Sequence, residues 1–74
     1  MLRGDDMILI KVGQRIREIR NTQGLSQEKL ALKADIDRTY LAGVEQGKRN
    51  PSLKSLEKIV VALDVRFEEL FKDM

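Results

Sequence analysis

The 74-residue sequence contains no cysteine, no histidine and no tryptophan, and it has one proline. Without cysteine there is no disulfide framework, and without cysteine and histidine there is no zinc site built from those ligands. The lack of histidine also removes the commonest general base, so we expect no catalytic site, no metal and no cofactor. The stability of so small a domain must come from helix packing or from self-association.

Long hydrophobic runs are missing as well. The stretch MILIKV, from Met7 to Val12, is too short to cross a bilayer or to form the apolar region of a signal peptide. We therefore predict a cytoplasmic protein that does not contact the membrane. Residues 1–7 precede the periodic part of the chain, and we expect them to be a mobile lead-in to one domain over residues 8–74.

Charge is unevenly distributed, although the net charge is only +2. From Lys11 to Lys54, ten lysines and arginines stand against five acidic residues, whereas from Glu57 to Met74 three stand against five. A basic central part favours an anionic partner for that part of the chain. The alternative is an ordinary solvated surface.

Hydrophobic periodicity predicts five helices and no strand, and therefore an all-α fold. The first helix is predicted over Ile8–Thr22, with Gly24 as its C-cap. The second and third helices begin after the N-cap residues Ser26 and Asp37, and the third ends near Gly47.

The last two helices follow Asn50-Pro51, where the residue before proline must be extended. Ser52 caps the fourth helix, which carries a wide apolar stripe, and the fifth is the segment RFEELFKD. Helices two and three are joined by a tight turn around Asp35, because aspartate tolerates the left-handed conformation with some strain. Two short helices joined so tightly indicate a helix-turn-helix, whose second helix enters the major groove of DNA.

Three segments of the sequence resemble a known family. In order and spacing, LSQEKLA, YLAGVEQGKRNPSL and LEKIVVALDV resemble the Cro/repressor-type (XRE-like) helix-turn-helix regulators of bacteria and phages, over about four-fifths of the chain. The resemblance implies a five-helix lambda-repressor-like bundle and a sequence-specific regulator of transcription rather than an enzyme. Within the family, DRTYLAGVEQGKRNPS is most similar to the controller proteins of restriction-modification systems.

The resemblance assigns DNA base contacts to Arg38 and Thr39, at the start of the third helix. Arginine can donate bidentately to guanine, and threonine offers a hydroxyl to a base or a methyl group to thymine. The alternative for Arg38 is an exposed arginine that pairs locally with Asp35 or Asp37.

Contacts to the DNA backbone are implied for polar residues at the helix starts and in the loop after the third helix. They are Ser26, Gln27, Tyr40, Lys48, Arg49, Asn50, Ser52 and Lys54. Capping alone explains Ser26, packing at the core rim explains Tyr40, and solvation explains Lys48, so these alternatives stay open. Ala42 and Gly43 replace longer polar groups of relatives, and we expect them to let the helix approach the groove closely, with part of the specificity coming from DNA shape.

The family resemblance also implies a partly buried ion pair between Arg20 and Glu45. We expect this pair to be structural, because removing one partner of a buried pair leaves the other charge unpaired.

The C-terminal part offers more apolar surface than a small core can bury. This surface predicts a two-fold homodimer, as the resemblance also implies. The interface is predicted to contain Leu63, Val65, Phe67, Leu70 and Phe71. Such a dimer would set two recognition helices about 34 Å apart on a palindrome-like operator in double-stranded DNA. The alternative is a lid over the core of a monomer.

If the controller resemblance holds, the protein binds its own promoter region and tunes expression of an endonuclease, activating at one site and repressing at another. RNA polymerase is then a further candidate partner. The alternatives are a phage or plasmid repressor, an antitoxin whose tail grips a toxin, and an adaptor that no longer binds DNA. The basic residues of the central part argue against the adaptor.

Overall fold

Five helices run through residues 4–74, the part of the chain described by the computed structural model. They are α1 (Gly4–Thr22), α2 (Gln27–Ala34), α3 (Arg38–Glu45), α4 (Leu53–Leu63) and α5 (Phe67–Leu70). No strand occurs within residues 4–74, so the predicted all-α class is confirmed.

Helix α1 begins earlier, and α5 is shorter, than the periodicity predicts. The predicted start at Ile8 is wrong, because α1 begins at Gly4 and residues 4–7 of the expected lead-in are helical. No proline or second glycine lies between Gly4 and Ile8 to stop the helix there. Residues 1–3 of the expected lead-in lie outside the described part of the chain. Helix α5 is a single turn, Phe67–Leu70, instead of the whole RFEELFKD segment.

The predicted N-caps of three helices are confirmed. The side chains of Ser26, Asp37 and Ser52 each accept a hydrogen bond from the backbone N–H three residues later, at 3.1, 3.1 and 3.0 Å. Each bond satisfies an N–H that the helix itself leaves unpaired, and such a cap is worth about 1 kcal/mol.

Left-handed residues end the helices that precede tight turns. Asp35 after α2 and Asp64 after α4 both have φ of 56°, and Gly24 after α1 has φ of 70°. At all three sites the next residue donates its N–H to the carbonyl five positions back, at 3.0 to 3.1 Å. This bond is part of the pattern that closes a helix C-terminus. The turns at Gly24 and Asp35 were predicted, whereas the one at Asp64 was not.

The hydrophobic core lies between α1, α2, α3 and α4, and α5 closes one end of it. Its buried apolar residues are Val12, Ile16, Leu30, Ala31, Ala34, Leu41, Val44, Leu56, Ile59, Val60, Ala62, Leu63 and Leu70. The core therefore draws on every helix of the described part, including the one-turn α5.

Two residues expected at a dimer interface belong to this core. Leu63 and Leu70 are 0% exposed, because α5 packs against both α1 and α4, so neither side chain is available to a second copy. Their predicted place in a dimer interface is corrected accordingly. Val65 is partly buried against the core, while Phe67 and Phe71 remain 37% and 38% exposed.

Helix α3 lies directly against the backbone of α1 at Gly13. A Cβ atom at Gly13 would overlap the carbonyl oxygens of Val44 and Glu45 near the end of α3. Only glycine permits this approach, because any side chain would have to displace main-chain atoms. The position of α3 is therefore set by backbone contact with α1 as well as by the core.

Candidate nucleic-acid interface

The helix-turn-helix is formed by α2 and α3. Leu41 and Val44 turn one side of α3 into the core. The first turn of the other side is open to solvent, with Arg38 and Thr39 exposed directly after the cap at Asp37. The two residues predicted to read bases are therefore side by side on the exposed face of α3. In a helix-turn-helix this face of the second helix meets the major groove.

Arg38 forms no ion pair within residues 7–74, whose side chains the structure describes. The local pairing with Asp35 or Asp37 that was left open for Arg38 is therefore not formed. Helix α3 has no acidic residue in its first turn, and Arg38 stands at the positive end of the helix dipole. A cation at this end is stabilised by an external anion rather than by its own helix.

Tyr40 lies at the rim of the core, and the guanidinium of Arg49 lies over its ring. The tyrosine is partly buried against the core, and the central guanidinium carbon of Arg49 is 5.9 Å from the ring centroid. At this distance the cation is attracted to the face of the ring. Packing at the core rim, one of the open alternatives for Tyr40, is thus present, and the side chain also supports a basic neighbour.

Gly43 faces the loop that follows α3. The backbone N–H groups of Lys48 and Arg49 both donate to the carbonyl of Gly43, at 2.9 and 3.2 Å. The side chain of Arg49 passes over the α-carbon of Gly43, so that a Cβ atom there would lie 2.6 Å from Arg49 Cγ. The space left by this glycine is therefore filled by Arg49. From the sequence we expected Gly43 to leave room for DNA, and this contact was not predicted.

The ends of α1 and α3 are joined by an ion pair between Arg20 and Glu45. Arg20 Nε and Nη2 donate to the two oxygens of Glu45 at 2.8 and 3.0 Å, and both residues are less than a tenth exposed. Arg20 Nη1 also donates to the carbonyl of Leu25 at 2.8 Å. The ion pair between Arg20 and Glu45 is therefore formed as expected, and its two hydrogen bonds satisfy both charged groups.

Gln27 joins the same network. Its side-chain amide donates to Glu45 Oε1 at 3.1 Å, which the sequence did not predict. Ser26, the other residue expected to meet a phosphate at the start of α2, is exposed and accepts the capping bond described above. The first backbone N–H groups of α2 form the anion-attracting end of the helix.

A basic loop, residues 46–52, follows α3 and leads into α4. The residues Lys48, Arg49, Asn50, Ser52 and Lys54 are all exposed. Lys54 sits in the first turn of α4, which contains no acidic residue. Like Arg38, it places a cation at the positive end of a helix.

An apolar surface remains near the C-terminus. The rings of Phe67 and Phe71 stack with centroids 6.5 Å apart and an angle of 12° between their planes. Phe67 also borders a groove of about 370 Å³ with Leu53, Lys54 and Glu57. We call this surface, formed by Leu53, Phe67 and Phe71, the aromatic face.

Among the described residues, no group of histidine, cysteine, aspartate or glutamate is arranged to hold a metal ion. None of the helices found there has the length and apolar content needed to traverse a bilayer.

Comparison with known proteins identifies the fold. The family model described as helix-turn-helix matches residues 16–70, which span the end of α1 through α5. The chain belongs to the helix-turn-helix family. Among curated helix-turn-helix relatives, the control protein C.MunI of a Mycoplasma species is 44% identical over 68 residues, covering 90% of this chain and 92% of that protein.

Two solved helix-turn-helix structures extend the likeness. The restriction-modification controller protein C.AhdI from Aeromonas hydrophila has a TM-score of 0.86 and 51% identity, covering 88% of this chain and 98% of that one. The controller protein C.Esp1396I, solved as a tetramer with its natural 35 base-pair operator, has a TM-score of 0.79 and 46% identity over 86% of this chain and 90% of that one. The expected bundle and the resemblance to controller proteins are confirmed.

Proposed function

We propose that this chain is a homodimeric, sequence-specific DNA-binding regulator of transcription of the restriction-modification controller type. It binds a palindrome-like operator in its own promoter region, in the cytoplasm, and acts without catalysis. The observation that carries the proposal is the first turn of α3, where Arg38 and Thr39 are exposed directly after the cap at Asp37.

In this proposal Arg38 and Thr39 read base edges in the major groove. An arginine with no partner within residues 7–74 keeps both terminal nitrogens available for guanine. Thr39, next to it and equally exposed, contacts an adjacent base. The small Ala42 leaves direct readout narrow, so DNA shape contributes to specificity.

The flanking polar groups hold the DNA backbone in this proposal. Lys48, Arg49, Asn50, Ser52, Lys54 and the hydroxyl of Tyr40 meet phosphates on one side, and the start of α2 at Ser26 and Gln27 meets them on the other. The side-chain amide of Gln27 gives one of its two N–H donors to Glu45, so its second N–H and the backbone N–H of Gln27 remain for a phosphate. Such contacts fix the register of the protein on DNA without reading sequence.

The relatives support the same assignment. C.Esp1396I is solved on its natural operator as a tetramer, so a chain 46% identical to this one assembles on DNA in more than one copy. Further structures of C.Esp1396I carry substitutions of an arginine, a threonine and a tyrosine at consecutive positions. The same three residue types follow one another here as Arg38, Thr39 and Tyr40.

The aromatic face is the proposed site of homodimerisation. Phe67 and Phe71 expose stacked rings next to the apolar side chain of Leu53, and a second copy related by a two-fold axis would cover the same surface on both protomers. Val65, which packs against the core between α4 and α5, is proposed to join this interface with its partly exposed side chain.

Selection from a pool of random duplexes tests the proposal. The purified protein is incubated with the pool at moderate salt, bound DNA is recovered by gel shift over several rounds, and the products are sequenced. A palindromic consensus is expected. The double variant Arg38→Ala/Thr39→Ala is the control, and we expect it not to enrich this consensus. Recovery of unrelated sequences by the unchanged protein rejects the proposal.

A reporter assay separates a controller from a phage or plasmid repressor. The selected operator is placed upstream of a promoter, and transcription is measured as protein concentration rises. A controller is expected first to raise and then to lower transcription, whereas a simple repressor lowers it throughout.

A further inference from the structure

We propose that Gly43 is a positioning residue, which holds Arg49 against Tyr40 and so aims the Arg49 guanidinium at the DNA backbone. The inference rests on the proposed function, since it names a residue that makes one of the DNA contacts possible without touching DNA itself. It assigns Gly43 a role different from letting α3 approach the groove.

The backbone of α3 does not require glycine at position 43. The residue lies inside a regular helix, and its φ is not positive, unlike those of Gly24 and Gly47. Glycine in a helix interior destabilises the helix relative to alanine. An explanation for Gly43 must therefore come from the space that a side chain would take.

That space is occupied by the stem of Arg49. A Cβ atom at Gly43 would lie 2.6 Å from Arg49 Cγ, 3.6 Å from its Nε and 3.7 Å from its Cβ. Cγ is only two bonds from the backbone, so the clash cannot be relieved at the far end of the side chain. The Arg49 side chain would have to change its first torsion angle, because its backbone N–H is itself bonded to the Gly43 carbonyl.

Tyr40 completes the support, one turn before Gly43 on the same helix. Residues three apart on a helix lie next to each other, so the tyrosine ring and the bare α-carbon of Gly43 form one continuous surface. Arg49 runs over Gly43 and ends with its guanidinium 5.9 Å from the ring centroid. A long side chain held at two points loses less freedom on binding a phosphate than one free in solvent.

A double-mutant cycle tests this role. The affinities of the full-length protein and of the variants Gly43→Ala, Arg49→Ala and Gly43→Ala/Arg49→Ala are measured by gel shift on the selected operator at several salt concentrations. Gly43→Ala is expected to bind about tenfold more weakly than the unchanged protein, the scale of one lost charged hydrogen bond. It should also lower the salt slope by about one, as Arg49→Ala does.

The decisive result is the comparison in the Arg49→Ala background. There Gly43→Ala should change the affinity less than twofold, because the side chain that it displaces is already gone. If Gly43→Ala weakens binding equally in both backgrounds, Gly43 acts by close approach to DNA and the inference is overturned. Unimpaired binding by Gly43→Ala in the otherwise unchanged protein overturns it too.

Thermal unfolding excludes a general structural defect. Alanine favours the helix, so Gly43→Ala should melt at the same or a higher temperature than the unchanged protein while it binds DNA less well. A lower melting temperature together with weaker binding would indicate disrupted packing instead.

An NMR measurement on the free protein distinguishes failure of this inference from failure of the proposed function. The tyrosine ring should shift the δ-proton resonances of Arg49 upfield, and the shift should vanish in both Gly43→Ala and Tyr40→Leu but persist in Tyr40→Phe. If the shift behaves in this way but no duplex is bound, the support exists and its assignment to DNA contact is wrong. If Arg49 shows no ring shift in the unchanged protein, the support itself is refuted.

Discussion

Arg15 in α1 donates a hydrogen bond from Nη1 to the backbone carbonyl of Glu69 in α5, at 2.8 Å. Its Nη2 donates to the carbonyl of Lys72, also at 2.8 Å. Carbonyl groups at a helix C-terminus have no partner within the helix and attract cations. Arg15 therefore attaches α5, a single turn that cannot be stable alone, to the longest helix of the described part.

Replacing Arg15 should loosen this attachment. Arg15→Met keeps the apolar stem but removes both bonds, so we expect the free energy of unfolding in urea to fall by about 1 kcal/mol. Dimerisation should weaken as well, measured by sedimentation equilibrium, because the aromatic face rests on α5. Arg17→Met is the matched control, since Arg17 is exposed and makes no side-chain hydrogen bond or ion pair within residues 7–74. Equal behaviour of the two variants would contradict the role of Arg15.

Removing Glu45 should cost stability rather than alter sequence preference. Glu45→Ala leaves Arg20 buried without its partner, and we expect the free energy of unfolding in urea to fall by about 3–5 kcal/mol. The double variant Arg20→Met/Glu45→Leu should recover part of this loss, because it leaves no unpaired charge. A single variant as stable as the unchanged protein would show that the pair is dispensable.

Arg38→Ala should reduce both affinity and specificity. We expect a loss of about 1–3 kcal/mol in binding free energy on the selected operator, and relaxed preference at one position of each half-site. Arg66→Ala removes the same charge from the exposed start of α5 and is the control. Competition gel shifts against single-base variants of the operator measure the effect. An unaltered base preference would remove Arg38 from the base-reading surface.

Lys54→Ala should weaken binding to all sequences alike. A lysine that meets a phosphate contributes to counterion release, so the slope of log affinity against log salt should become shallower by about one. Lys72→Ala, the same charge change in the C-terminal tail, should leave the slope unchanged. A sequence-dependent loss on Lys54→Ala would instead indicate a base contact.

Phe71→Glu should produce a monomer that remains folded. The ring of Phe71 is exposed in the isolated chain, so a carboxylate there disturbs only the proposed interface. Sedimentation at high micromolar concentration measures whether the variant is a monomer or a dimer. Leu70→Glu is expected to unfold the protein, because Leu70 is fully buried. Leu32→Glu changes an exposed apolar residue on α2, outside the aromatic face, and should leave the dimer intact. A Phe71→Glu protein that sediments as a dimer would place the interface elsewhere.

Local sequence signals located the five helices and the N-caps of α2, α3 and α4. Ser26, Asp37 and Ser52 were identified because capping depends on residue type and on a spacing of three, both visible in the sequence. The start of α1 was misplaced because the apolar periodicity fades before Ile8, although nothing in the sequence stops a helix there. Asp64 was missed because aspartate adopts the left-handed conformation less regularly than glycine.

Burial in the C-terminal part was the main feature that sequence reasoning could not resolve. Leu70 and Phe71 are neighbours and equally apolar, yet one is inside the core and the other outside. The direction of a single helical turn depends on long-range contacts such as that of Arg15, which no local pattern shows. For the same reason the bond between Gln27 and Glu45 and the space between Gly43 and Arg49 appear only in the folded chain.

The contact at Gly13 bears on which residues of α3 can be exchanged without moving the helix. At this contact α1 meets the main-chain oxygens of Val44 and Glu45 rather than their side chains, so the contact does not depend on which side chains α3 exposes to solvent. Mutations at exposed positions such as 38 and 39 can therefore accumulate without disturbing the placement of the helix. Under the proposed assignment of Arg38 and Thr39 to base readout, exchange of these two residues changes the operator preference while α3 keeps its place against α1.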